Sequence, residues 1–281
     1  MERDETDDIS VSLAALVEPQ LAVYFAAEAV SSIDELRAVV HTWLDRHAAP
    51  AELHRTLDSK RCVIRVGEVD RAAMPTIASA TRGVTSLTTE EPARLQRATA
   101  GALVHTVGLP GDSALWTAIA ASRALVESLD GVAWDAHARW LLPIASCTAP
   151  ITRRFVAAEH VRVVVDQHDG QTDLVTYGAR KLGVPNLVMR NIPFDFDTPI
   201  LERALLETIE QHVSELWHAL RETPPPARLR LSDAIDLADD VSVLLAVRQR
   251  DEAGEPTQLD VLTPPPLDWA TWRERAKAVL D

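Results

Sequence analysis

A chain of 281 residues, 47% apolar and 25% charged, has ordinary globular composition with room for one large or two smaller domains, which excludes wholesale disorder. A chain of this length buries on the order of 70% or more of its unfolded surface, so it needs no staples, and Cys62 and Cys147 lack the CxxC spacing of a zinc site or redox motif. The net charge of −14 repels phosphate backbones and anionic lipids, which disfavours nucleic-acid and membrane-surface partners.

The first ten residues, MERDETDDIS, set five acids against Arg3. That is the reverse of a secretory signal, and residues 1–10 read as a solvated acidic tail. No run approaches the ~18 apolar residues of a membrane span, and with the cysteine usage a reducing, cytoplasmic location is expected. Leu21–Ala27 has strand character. Ser31 or Ser32 can cap a helix, with Glu35 three residues after Ser32 as in a capping box, and the helix's apolar face is Ile33, Leu36, Val39, Val40, Trp43 and Leu44. Arg61–Val69 reads as a strand, and the weakly patterned stretch from Asp70 to Arg97, with Pro75 and Pro92, as a long excursion. Ala100–Val107 is a buried strand with His105 as a hydrogen-bonded core histidine. The loop GLPGDS then starts a helix that runs to about Leu129, with Asp112 or Ser113 as N-cap. Gly131–Trp134 and Trp140–Leu142 follow as edge strands. The order strand, loop, helix thus occurs in both Leu21–His47 and Leu103–Leu129. Either a duplication or two ordinary α/β units would produce it, and the poor residue match favours the second.

Farther along, Val161–Asp166 and Thr172–Tyr177 flank Asp169-Gly170, a hairpin turn signal, and Asn186–Ile192 is a further strand. A long helix from about Pro199 to Arg221 carries Leu201, Leu205, Ile209, His212, Val213, Leu216, Trp217 and Leu220 on one stripe and stops at Pro224-Pro225-Pro226. Val241–Arg248 and Gln258–Leu262 suggest a hairpin around Gly254 and Pro256, and a short helix holds Trp269 and Trp272. Turns too short for helical crossovers imply an α+β fold, mainly antiparallel sheet with helices packed on one face. The expected domains are 11–148 and 149–281, the first α/β and the second α+β.

Each chemical motif has a plainer reading beside it. Gly111-Asp112-Ser113-Ala114-Leu115 resembles the Gly-Asp-Ser-Leu block of a lipase and esterase family, whose serine is the nucleophile. An entire strand–helix unit precedes it here, and no histidine has Asp three positions before it, so capping is favoured. Asp166 and His168, with His160 nearby, are oxygen and imidazole groups of the kind that bind divalent metals, although Asp169-Gly170 already explains that loop as a turn. Glu215 and His218 form a single Glu-x-x-His pair where a di-iron bundle needs two. No metal and no cofactor is expected.

The segment Thr176-Tyr-Gly178-Ala-Arg-Lys-Leu-Gly183-Val-Pro185-Asn-Leu187, running on to Arg190 and Pro193, resembles a motif of uncharacterised bacterial domain-of-unknown-function proteins. In those, Thr-x-Gly is followed by Phe-Gly-x-Pro-(Asp/Glu)-Leu and a helix. Here Leu182 stands before Gly183 and Asn186 replaces the acid, and the similarity extends from Asp173 to Trp217. The resemblance implies no activity. From the residues alone, Gly178 and Gly183 suit positive φ.

With every catalytic constellation incomplete, the sequence reads as a non-catalytic binding or accessory protein for a peptide or protein partner, of immunity or peptide-biosynthesis type. The alternative is a hydrolase using Ser113 or a metal near Asp166 and His168. Open sheet edges and two large aromatics in a short tail helix suggest a homodimer, with Trp269 and Trp272 in its interface.

Overall fold

A computed structural model describes residues 9–12, 19–26, 32–68, 74–78, 88–109, 111–142, 155–193, 198–236, 244–249, 258–263 and 268–280. The acidic residues 1–8, Cys147 and the Gly254–Pro256 turn lie outside the described residues. The fold is α+β, in three mostly antiparallel sheets. The chain divides into two compact units, Val17–Arg162 and Met1–Leu16 with Val163–Asp281. The division falls at 162/163 rather than the expected 148/149, and the first residues group with the later unit.

In the unit Val17–Arg162, five strands carry the sheet: β2 (Gln20–Phe25), β3 (Cys62–Glu68), β4 (Ala100–Thr106), β5 (Val132–Asp135) and β6 (Trp140–Leu142), in the order β3-β4-β2-β5-β6. Every pairing is antiparallel. Helices α1 (Ile33–Arg46) and α2 (Ala51–Asp58) lie between β2 and β3, α3 (Glu90–Arg97) between β3 and β4, and α4 (Gly111–Leu129) between β4 and β5. Taking α1 and α2 as one crossover and leaving aside α3 and the last strand β6, the chain runs β–α–β–β–α–β, and each helical crossover links two strands that have a third between them. That is the split βαβ arrangement of ferredoxin-like sheets. It accounts for the repeated strand–loop–helix order in the sequence without requiring duplication.

Alternation along β2 explains the layering. Leu21, Val23 and Phe25 are buried, and in register they sit beside Val104, Ala102 and Ala100 of β4. Helix α4 packs across β2 and β4 and beside α1. Its small residues Ala114, Ala118, Ala121 and Ala124 are all buried, which lets the backbones approach closely. Tyr24 is one residue out of phase and packs on the other face with Leu95 of α3, Val132, Trp134 and Leu141. Ser32 accepts from Glu35 N–H at 3.2 Å, as the capping box requires. Neither α2 nor α3 was anticipated. Pro92 does not break α3, because it stands in the first turn, where its missing N–H has no intrahelical acceptor.

The other unit begins earlier than expected. Ile9 is buried, and β1 (Ser10–Ser12) pairs antiparallel with β10 (Arg228–Arg230), so Ile9 and Ser10 belong to the fold rather than to a solvated tail. Its main sheet has six strands in the order β11-β12-β13-β9-β8-β7. These are β7 (Arg162–His168), β8 (Gln171–Tyr177), β9 (Asn186–Pro193), β11 (Ala234–Asp236), β12 (Leu244–Gln249) and β13 (Gln258–Leu262). Asp169 and Gly170 both have positive φ, 46° and 76°, the geometry of a two-residue hairpin turn, and β7 and β8 flank it as expected. Gly178 and Gly183 also have positive φ, as their places in the sequence require. The exception to antiparallel pairing is β13 alongside β9. Helix α5 (Thr198–Ala219) buries the stripe Leu201, Leu205, Ile209, His212, Val213, Leu216 and Trp217, and α6 spans Trp269–Leu280.

Candidate functional site

The residues singled out in the sequence do not assemble into one centre. Helix α4 starts at Gly111, so Asp112 and Ser113 are first-turn residues rather than N-caps, and the Asp112 carboxylate accepts the Ser113 N–H at 2.9 Å. Among the described residues no histidine is hydrogen-bonded to Ser113 Oγ, so the activated serine of a hydrolase is not formed. Asp166 and His168 are exposed, and His168 Nε2 lies 3.4 Å from Asp173 of the next strand. Among the described residues no group of three or more His, Cys, Asp or Glu is disposed around one point. The hydrolase alternative therefore gains no support from either of its proposed centres.

The two tail tryptophans face inward. Trp272 has no exposed surface, and Trp269 meets it edge to face at 5.7 Å while donating its indole N–H to the Arg190 carbonyl of β9 at 3.0 Å. A side chain wholly buried against its own chain has no area left to give to a partner. This corrects the assignment of Trp272 to a dimer interface; the aromatics are there because the tail helix docks on its own unit. His105 is only half-buried, on the β4 face opposite Val104 and Thr106, because it falls on the odd phase of the alternation.

Burial pushes the Cys62 thiol up to about 11, against a smaller downward pull from the Arg37 guanidinium, so it is a core thiol rather than a nucleophile. Burial also raises the carboxyl of Glu127, but hydrogen bonds from Arg123 (2.7 Å) and Trp43 Nε1 (2.6 Å) outweigh it and leave the group below its ordinary value. This bond ties α1 to α4 beside an open groove of about 420 Å³ that includes Ala38, Val39, Thr42 and Trp43.

The feature with recognition chemistry is the edge of β3. Val107 N–H donates to Arg61 O at 2.8 Å, which puts the bonded pairs of the β3–β4 ladder at Val63, Arg65 and Gly67. The backbone groups of Cys62, Ile64, Val66 and Glu68 consequently point away from β4. The Cys62 carbonyl is taken by Arg37 Nη2 at 3.3 Å, on the outward side that this register demands. From Arg65 to Glu68 the strand is exposed, with Val66 at 39%, and a Cβ built on Gly67 meets nothing within 4 Å. Among the described residues no strand lies on this side of β3. The weak alternation of RCVIRVGEV marked a strand, but nothing in it marked an edge.

Comparison with protein-family models, with curated proteins and with solved structures yields no match to this chain.

Proposed function

We propose that the protein is a non-catalytic binding or accessory protein that receives an extended segment of a peptide or protein partner along β3. The observation that carries this reading is the outward-facing backbone register of the exposed residues Val66 and Glu68 at the end of a seven-residue edge strand. Such an edge is a template for strand addition, in which main-chain bonds supply affinity and alternate side chains supply selection. The net charge of −14 favours a basic segment over an acidic one.

The test uses Val66→Pro. Proline removes the Val66 N–H, which faces away from β4, and leaves the β3–β4 ladder intact. Peptides selected from a random display library on the full chain are measured by fluorescence anisotropy. The variant is expected to bind them about tenfold or more weakly, because a partner carbonyl loses its donor, while its melting temperature stays near that of the parent. Binding unchanged in Val66→Pro, or a library that yields no binder, would remove the reading. A second copy of the chain on the same edge would instead appear as twice the 30.8 kDa mass in light scattering, reverting to the single mass in the variant.

A further inference from the structure

Helices α1 and α2 carry the same small motif. Each has a histidine followed four residues later by an aspartate: His41 and Asp45 on α1, His54 and Asp58 on α2. On a helix that spacing puts both side chains on one face. The two motifs meet crosswise. His41 Nε2 lies 3.1 Å from Asp58 Oδ1, and His54 Nε2 lies 3.6 Å from Asp45 Oδ1. The other ring nitrogens face each other, Nδ1 to Nδ1, at 3.3 Å, with the rings stacked at 25°. The four side chains thus form one line, carboxylate, imidazole, imidazole, carboxylate.

The chemistry of that line is constrained. A carboxylate only accepts, so His41 Nε2, 3.1 Å from Asp58, carries its hydrogen, and the charge of Asp45, 3.6 Å from His54 Nε2, favours the same tautomer there. In a neutral imidazole this leaves Nδ1 as a bare lone pair. Two bare lone pairs at 3.3 Å repel unless an electrophile lies between them. Only a proton or a metal ion fits there. We propose that His41 and His54 bind a divalent transition-metal ion of the zinc class through their Nδ1 atoms, with Asp58 and Asp45 holding the rings from behind.

Three observations support this site. Two nitrogens each 2.0–2.1 Å from a tetrahedral ion stand about 3.3–3.4 Å apart, which is the separation seen. A metal-bound histidine characteristically donates its other N–H to a carboxylate, which fixes the tautomer and raises ligand basicity. Both rings are partly exposed, at 31% and 22%, so an ion can enter from solvent. Imidazole donors suit zinc, copper and nickel rather than calcium or magnesium. Since no third protein ligand joins the pair among the described residues, water or an exogenous group completes the coordination. Where the pair shares a proton, the ion replaces it: two Nδ1–metal bonds form, one Nδ1–H bond breaks, and the proton leaves to buffer.

The experiment is calorimetric titration of the tag-free, chelator-stripped full chain with zinc chloride, in two buffers of different ionisation heat. One saturable equivalent is expected, with proton release, and the Nδ1 resonances of His41 and His54 should both shift in nitrogen-15 spectra. His41→Ala and His54→Ala should each abolish the equivalent, with helical circular dichroism retained because both rings are partly exposed and neither belongs to the buried core. Asp58→Asn, at a residue largely exposed, should weaken binding about 10–100-fold, and Asp45→Asn less, given its longer contact. Absence of saturable binding, an equivalent that survives loss of both histidines, or shifts confined to other histidines would overturn the proposal.

Discussion

The two units solve the same problem, covering a sheet with helices, by different chain paths. In Val17–Arg162 each helical crossover links strands separated by a single intervening strand, and all pairing is antiparallel. In the other unit β7, β8 and β9 follow one another, but β13 returns beside β9 in parallel and β1 closes on β10 from the far end of the sequence. The first path is assembled from local strand–helix steps. The second depends on partners far apart in sequence, whose closure entropy must be offset by burial. Its key contacts should therefore sit where distant segments meet.

The sharpest trial of this contrast is Trp272→Ala. Trp272 is fully buried where the tail helix docks beside β9, so truncation is expected to cost about 3–5 kcal/mol in denaturant unfolding. Near-parental stability would show that the tail contributes little to its unit, and would return Trp272 to the surface role first assigned to it. In the split βαβ unit backbone comes close to backbone at Gly131, between α4 and β5. A Cβ there would stand 2.8 Å from the Tyr24 carbonyl oxygen on β2, so Gly131→Ala should destabilise by about 1–3 kcal/mol. A variant with an unchanged midpoint would mean that β2 and β5 yield easily, against the close-packed reading.

The smallest effect is a pH dependence in the later unit. Burial lowers the pKa of His212 from its ordinary 6.5, and the Ser232 carbonyl at 3.1 Å and the charge of Glu215 pull only partly back. The unfolded chain therefore takes up a proton before the folded one does. Stability is fully present above about 6.5 and falls as pH drops below it, with a slope no steeper than about 1.4 kcal/mol per pH unit from this group. His212→Gln should flatten that part of the stability–pH curve. An identical curve in the variant would assign the dependence to other groups.

Periodicity made some residues legible and left others silent. The stripe on α5 was readable because a long amphipathic helix repeats its signal over many turns, and the Ser32 cap because its chemistry is local. Helices α2 and α3 are eight residues each, too short for a periodic signal to rise above the loop around them. The paired histidines were overlooked for the same reason. The repeated His-x-x-x-Asp spacing was visible in the sequence, but it acquires meaning only if Ala51–Asp58 is a helix lying beside α1.

The sequence by itself determined the α+β class, the places of the main strands and of the long helices, the Asp169-Gly170 turn and the positive-φ glycines, because these follow from side-chain period and backbone sterics within a few residues. Tertiary structure alone decided that Trp272 is core, that among the described residues Ser113 meets no histidine and β3 has no second neighbouring strand, and that His41 faces His54. Each of these depends on which distant segment occupies the neighbouring space, and a one-dimensional pattern of apolar and polar residues is the same whichever segment that is.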